Sequence, residues 1–176
     1  MSDMLPKNMF RNVLIGGVVA VAVLLFVGSG IFAYVGARSF SQTPLVVSLT
    51  RLFGVPIATV NGERVLYADY VADKKIIEIY NTQQGGKLDG TGISDVVLQR
   101  LIANKMLMQE AKKFHVTVSQ TELDTELDTL FAQAPSREEA EKSFTEQFSK
   151  FGWDMDDYKQ NVLYYAVLQR KLSEAA

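Results

Sequence analysis

The sequence predicts a mostly α-helical protein: an N-terminal transmembrane helix, then a small domain of about five helices that opens with one short β-strand or hairpin. Three observations predict it. Residues 13–35 form an apolar run without a charged side chain. The β-prone residues cluster at 57–65 around Asn61-Gly62, a strong tight-turn signal. The remainder carries apolar residues at helical spacing between capping signatures.

The span comes first. Residues 13–35 read VLIGGVVAVAVLLFVGSGIFAYV, and as a helix these 23 residues reach roughly 35 Å, enough for a hydrocarbon core of about 30 Å. Lys7 and Arg11 precede the run, while Arg38 and then Arg51 follow it. That asymmetry places residues 1–12 in the cytoplasm and the rest of the chain outside. A cleaved signal peptide is the competing reading, with Val35-Gly36-Ala37 as its cleavage signal. The run exceeds the apolar core of about 7–15 residues usual in such peptides, which favours an uncleaved anchor. Both readings export the chain beyond Arg38.

Residues 36–54 read as a linker, interrupted by Ser, Gln, Thr and Pro44 and ending in an apolar stretch at 45–53 that suits a membrane surface or a domain cap. Residues 55–176 form the exported domain. Its strand at 57–60 turns at Asn61-Gly62 into a helix over 66–82, on which Tyr70, Ile76, Ile77 and Tyr80 lie at helical spacing. The Gly-rich segment 83–92 is a connector; it lacks the strand-before, helix-after context and the GK[ST] ending of a phosphate loop. A second helix runs from Ser94 to about Phe114 and is apolar on most sides, as a central helix is, with Lys105, Gln109 and Lys112 on one narrow polar strip. Ser119 and Glu122 form a capping box that opens a short helix with Leu123, Leu127, Leu130 and Phe131 on one face. Ser136 and Glu139 repeat the signature for a helix carrying Phe144, Phe148 and Phe151 and closing at Gly152. Asp154 and Asp157 open the last helix, with apolar positions at Tyr158, Val162, Leu163, Tyr165, Ala166, Leu168 and Leu172.

Composition narrows function. Apolar residues are 48% and charged residues 22% of the 176, the balance of a folded protein rather than a disordered one. The net charge of −2 gives no basic footprint for nucleic acid. There is no cysteine and one histidine, His115, which excludes thiol nucleophiles, Cys-ligated metals and disulfides. The best catalytic constellation available is His115 with a serine or with Asp124 and Asp128, four residues apart on one helix face. It lacks a nucleophile elbow, a phosphate cradle and a metal motif. No catalytic residue, metal site or cofactor is therefore expected. Residues 122–157 hold eleven acidic and three basic side chains, a local charge of −8, which solvated faces and helix caps explain better than a metal site.

The order of motifs is specific: a span, a strand ending Val60-Asn61-Gly62-Glu63, a helix, a Gly-rich gap, then VLQRLIANKMLMQEAKKFHVTVSQTELDTEL and finally WDMDDYKQNVLYYAVLQRKL. This resembles the N-terminal chaperone domain of the SurA, PrsA and PpiD group of exported folding factors. Leu101, Ile102, Met106, Leu107, Glu110, Ala111, Lys112, Lys113, Val116, Val118 and Ser119 fit that group's helix-to-V-x-V-S pattern, and the likeness covers about residues 56–172. The resemblance implies an ATP-independent holdase that binds unfolded or nascent exported polypeptides; with the span at residues 13–35, it is expected at the bacterial inner membrane with its domain periplasmic or extracellular. Family members usually continue into a parvulin-type isomerase domain, often with a C-terminal helix that completes the chaperone domain. These 176 residues carry no A-x-H-I-L strand, no G-G-x-L-G loop and no closing histidine, so isomerase activity is not expected of them.

Independently of the family, a helical domain without a polar catalytic constellation can still bind extended chains through an apolar groove between helices. Flexible Met and aromatic side chains suit changing clients. Met106, Met108, Phe148, Met155, Tyr164 and Tyr165 are the candidates for that surface, set against the plainer expectation that most of them are core. Three alternatives stay open from the residues alone: a non-catalytic scaffold of an envelope or translocon complex, the N-terminal part of a membrane-bound prolyl isomerase, and self-association over uncovered apolar surface.

Overall fold

The computed structural model describes residues 7–175, with side chains from Gly17 onward. The protein is mostly α, with a single two-stranded hairpin among the described residues. In order it comprises α1 (Lys7–Arg38), α2 (Pro44–Leu52), β1 (Pro56–Val60), β2 (Glu63–Leu66), α3 (Tyr67–Gln83), α4 (Gly90–Lys113), α5 (Gln120–Phe131), α6 (Arg137–Phe148), a 3-10 turn (Ser149–Phe151), α7 (Met155–Tyr158), a π turn (Lys159–Leu163) and α8 (Tyr164–Ala175). The chain divides into two compact units. One is Met1–Ala58 with Leu66–Val71; the other is Thr59–Val65 with Ala72–Ala176. Of the positive-inside residues, Lys7 and Arg11 have side chains outside the described ones.

In the first unit, α1 is an apolar helix long enough to cross a membrane. The stretch expected as a linker contains the last turn of α1 and a nine-residue helix, α2. Small residues explain the packing. Ala33, Gly36 and Ala37 are buried, and a Cβ built on Gly36 would lie 2.7 Å from one Val46 methyl and 2.9 Å from the other. Only glycine lets α2 approach so closely. Further along, Phe53 lies over Gly30 and its ring centroid is 5.0 Å from that of Phe26. The unit is completed by Tyr67, whose hydroxyl donates to the Ser41 carbonyl at 3.0 Å, and by Tyr70 against Tyr67 and Phe40.

The second unit is held at one end by the hairpin turn. Asn61 and Gly62 have φ of 50° and 85°, the left-handed pair that a two-residue turn between twisted strands requires. The polar strip of α4 receives it. Gln109 donates to the Val60 carbonyl at 2.8 Å and accepts from the Asn61 amide at 2.8 Å. Lys112 bonds Glu63 at 2.9 Å, with Lys105 at 3.7 Å from the same carboxylate. Arg100 grips buried Asp73 through two bonds of 3.0 and 2.9 Å, tying α4 to α3.

α4 starts earlier than its sequence suggests. Asp89 caps it by accepting from Gly92 N at 2.7 Å, so Gly90 and Gly92 are helical. The rest of the Gly-rich connector is stitched by the Asn81 side chain, which bonds both the carbonyl and the N–H of Leu88. α4 ends in a double turn of hydrogen bonds, Val116 N to Ala111 O and His115 N to Lys112 O. His115 is left-handed there, at φ 54°, a helix-ending position.

α5 carries the expected capping box and buries Leu123, Leu127 and Phe131, whereas Leu130 is exposed. These pack with Leu163 and Val167 in one cluster; Ala111, Leu168 and Leu172 form a second, and Val118 and Tyr164 touch both. The last helical segment departs from regular periodicity. The π turn inserts one extra residue, so Leu163 rather than Val162 follows Tyr158 into the core, and Val167 rather than Ala166 follows it. The Asn161 amide donates to the Asp157 carbonyl at 2.8 Å within this wide turn.

Candidate client-binding surface

The C-terminal half of α6 and the turn after it gather aromatic side chains. Ser136 caps α6 by accepting from Glu139 N, which sets the phase that puts Phe144 and Phe148 one turn apart on one face. Gly152, left-handed at φ 71°, reverses the chain. The Asp154–Asp157 capping box then starts α7 and delivers Tyr158 back to the same place. Phe144 stacks on Phe148 with centroids 4.3 Å apart, and Tyr158 meets them at 4.9 and 5.0 Å. Trp153 lies parallel to Phe148 at 6.3 Å and Phe151 flanks it at 6.2 Å. Phe144 rests on Phe131 and the core beneath, and desolvation raises the Tyr158 phenol above its ordinary pKa. All five of these rings are half-buried. The result is an aromatic platform of partly exposed rings, packed through Phe144 on Phe131.

The six residues expected to bind clients do not form one patch. Met108 and Tyr164 pack against the Leu168 cluster, and Tyr164 meets Tyr165 edge-on at 5.3 Å. The Tyr165 hydroxyl lies 4.0 Å from the Met108 sulfur, so these three form one half-buried group. Met155 packs on the Leu163 cluster and Phe148 sits in the platform. Met106 alone among the six is exposed, at 54%. Phe144 and Phe151, both noted as apolar in sequence, and Trp153 belong with Phe148. The signal that could have found the group was the i, i+4 aromatic pair followed by an aromatic on each side of a helix-ending glycine.

Four acids of the stretch are paired on α5, three of them with partners from a later element. On α5, Glu122 pairs with Lys171, Asp124 with Lys159 at 3.0 Å, Glu126 with Arg170 at 2.6 Å and Asp128 with Arg137 at 2.7 Å. Asp124 and Asp128 are thus ion-pair members, and among the described residues no group of three or more acids or histidine is placed to hold a metal. A shallow groove of about 410 Å³ between α5 and α8 is bordered by the ion pairs of Glu122 with Lys171 and Glu126 with Arg170, beside Val167.

The Lys171 ammonium and the Ser119 N–H and hydroxyl hold the Glu122 carboxyl at a pKa of about 2, down from 4.5. Asp124 is lowered by Lys159, and Glu126 by Arg170. A depressed folded-state pKa contributes stability above the unfolded value and loses it as pH falls through the folded one. Urea midpoints are therefore expected to be flat above about pH 5 and to fall steadily towards about pH 2. Lys171→Met is expected to flatten the lower part of that profile; an unchanged slope would show that Glu122 is not among the groups responsible.

The description SurA-like N-terminal domain matches residues 1–172. The chain belongs to this family. Two relatives of the SurA-like N-terminal chain are named foldase protein PrsA. That of Clostridium acetobutylicum is 21% identical over 164 residues, covering 88% of this chain and 48% of its own length. That of Caldanaerobacter subterraneus subsp. tengcongensis is 33% identical over 85 residues, covering 42% of this chain and 28% of its own length. The SurA-like chain therefore spans about half or less of the relatives it matches. No solved structure matches it. The family is one of foldases and chaperones.

Proposed function

We propose that this SurA-like chain is an ATP-independent holdase, anchored in the inner membrane by residues 13–35, with residues 1–12 cytoplasmic and the domain at 55–176 periplasmic or extracellular. The observation that carries the reading is the aromatic platform in a chain of chaperone family: half-buried Phe144, Phe148, Phe151 and Trp153 offer stacked rings to apolar side chains of many sequences. Platforms of this kind bind weakly and broadly, as a holdase must, because ring faces have no hydrogen-bond register to match.

The full chain in lipid nanodiscs is expected to suppress light scattering from a denatured exported protein, without ATP, and to leave proline isomerisation in a short peptide at its uncatalysed rate. Phe151→Ser with Trp153→Ser is expected to weaken client affinity about tenfold, roughly 1.4 kcal/mol. Unsuppressed aggregation by chain that is folded by circular dichroism would replace this reading with that of a scaffold devoted to one partner.

A further inference from the structure

α2 poses a question that the chaperone reading leaves open. Its inner face, Val46 and Thr50, is buried. Its outer face is not polar: Leu45 is 63% and Leu52 71% exposed, flanking Ser48 and Arg51. Leucines so exposed, beside a long apolar helix, mark a contact with something else.

The register along α1 says what. Tyr34 and Arg38 stand at the end of the apolar run, the guanidinium bonding the Tyr34 hydroxyl at 3.1 and 2.9 Å and lying over its ring. An aromatic and a basic side chain of this kind mark the level of lipid headgroups. Gly36, where Val46 sits, belongs to that level. Phe53 lies over Gly30 and meets Phe26, four and eight residues further back than Tyr34, roughly 6 and 12 Å deeper at about 1.5 Å per residue. Half of a hydrocarbon core is only about 15 Å thick. α2 therefore runs back along α1 into the outer leaflet. Raising α1 until α2 cleared the lipid would instead put Phe26, Val27, Ile31 and Phe32, all more than half exposed, into water.

The deep end of α2 closes with the same helix-ending hydrogen bonds as α4, a finish compatible with lipid. Backbone carbonyls there have no water to bond. Leu49, Thr50 and Arg51 pass theirs to the N–H groups of Phe53, Val55 and Gly54 at 2.9, 2.9 and 3.2 Å, with Gly54 left-handed at φ 58° to allow it. The Thr50 hydroxyl bonds the Val47 carbonyl at 2.8 Å. Arg51 is the charged residue of α2, and its long stem lets the guanidinium snorkel to the headgroups.

We infer that α2 is a half-inserted helix, paired with α1 in a hairpin, whose Leu45 and Leu52 contact phospholipid acyl chains of the outer leaflet. The inference rests on residues 13–35 being a membrane anchor. The protein has no cysteine, so a single Leu52→Cys carries an environment-sensitive NBD dye on the full chain in phosphatidylethanolamine–phosphatidylglycerol vesicles; Leu45→Cys serves as a second site and Ser143→Cys as an aqueous control. At Leu52 the dye is expected to emit at shorter wavelength and to be quenched several-fold more by doxyl-labelled acyl chains than by iodide, with the reverse at Ser143. Iodide quenching at Leu52 equal to that at Ser143, in vesicles that keep the protein through alkaline carbonate, would overturn the inference and spare the anchor. A dye shielded from both quenchers would assign the face to a second copy or another protein and overturn it too. Release by carbonate would overturn the anchor and the inference together.

Discussion

Leu168→Ala is expected to cost about 3 kcal/mol, within the range of about 2–5 for buried leucines, and so to remove a large share of the second unit's stability. Leu168 is fully buried, and the reason for the size of the effect lies in what surrounds it. Leu107, Met108 and Ala111 of α4, Val116 and Val118 of the following segment, and Leu172 and Tyr164 of α8 all belong to its cluster. Three elements therefore face the gap at once, and none closes it without pulling away from another. Urea unfolding of the full chain, followed by the fluorescence of Trp153, the protein's one tryptophan, reads the loss directly. Met106→Ala, at an exposed position on the same helix α4, is expected to stay within about 0.5 kcal/mol. Equal losses from the two variants would mean that α8 does not dock on α4 through Leu168.

That pair of expectations shows where sequence was informative. The spread of apolar residues around α4 reads as a central helix, whereas among its described residues Ile93, Val97 and Ala111 are the buried ones and the Ala111 end docks on α8. The Asn61-Gly62 turn and the strip of Lys105, Gln109 and Lys112 were each visible, far apart in the chain, as a turn and a polar face. Their joining through Gln109 and Glu63 is a tertiary fact that no local pattern carries. The caps at Ser119, Ser136 and Asp154 were legible because capping is local chemistry. Two things were not. The π turn at Lys159–Leu163 changes the phase of the last helix, so counting at about 3.6 residues per turn assigns Val162 and Ala166 to the core in place of Val167. The ion pairs of α5 draw Lys159, Arg170 and Lys171 from a later element, so a charge sum over 122–157 counts Glu122, Asp124 and Glu126 as unpaired. Of the six binding candidates, Phe148 falls within the aromatic platform and the other five lie elsewhere on the helices.

The same limit hides α2, which looks like a linker in sequence because its partner is a glycine. Gly36→Leu is expected to be the most disruptive single change in the first unit. Even a methyl at this position would lie 2.7 Å from a Val46 carbon, well inside van der Waals contact, and the rest of a leucine side chain has no space between the two helices. Both neighbours are backbone-anchored in helices, so the strain is relieved only by moving α2 away from α1, at a cost of about 1–3 kcal/mol for overpacking. Separation would also strip Phe53 from Phe26 and Gly30. The decisive comparison is a cycle with Val46→Ala, which removes the two methyls that clash. Gly36→Ala and Val46→Ala each destabilise the pair, one by intrusion and the other by a cavity, while the double variant is expected to recover most of the loss because the new methyl fills the space the valine vacates. Protease sensitivity of residues 39–54, measured on the full chain in vesicles, reads the parent and all three variants of the cycle on one scale. Additive losses in the double variant would show that Gly36 and Val46 do not meet, and with that contact gone the hairpin of α1 and α2 would have no structural basis.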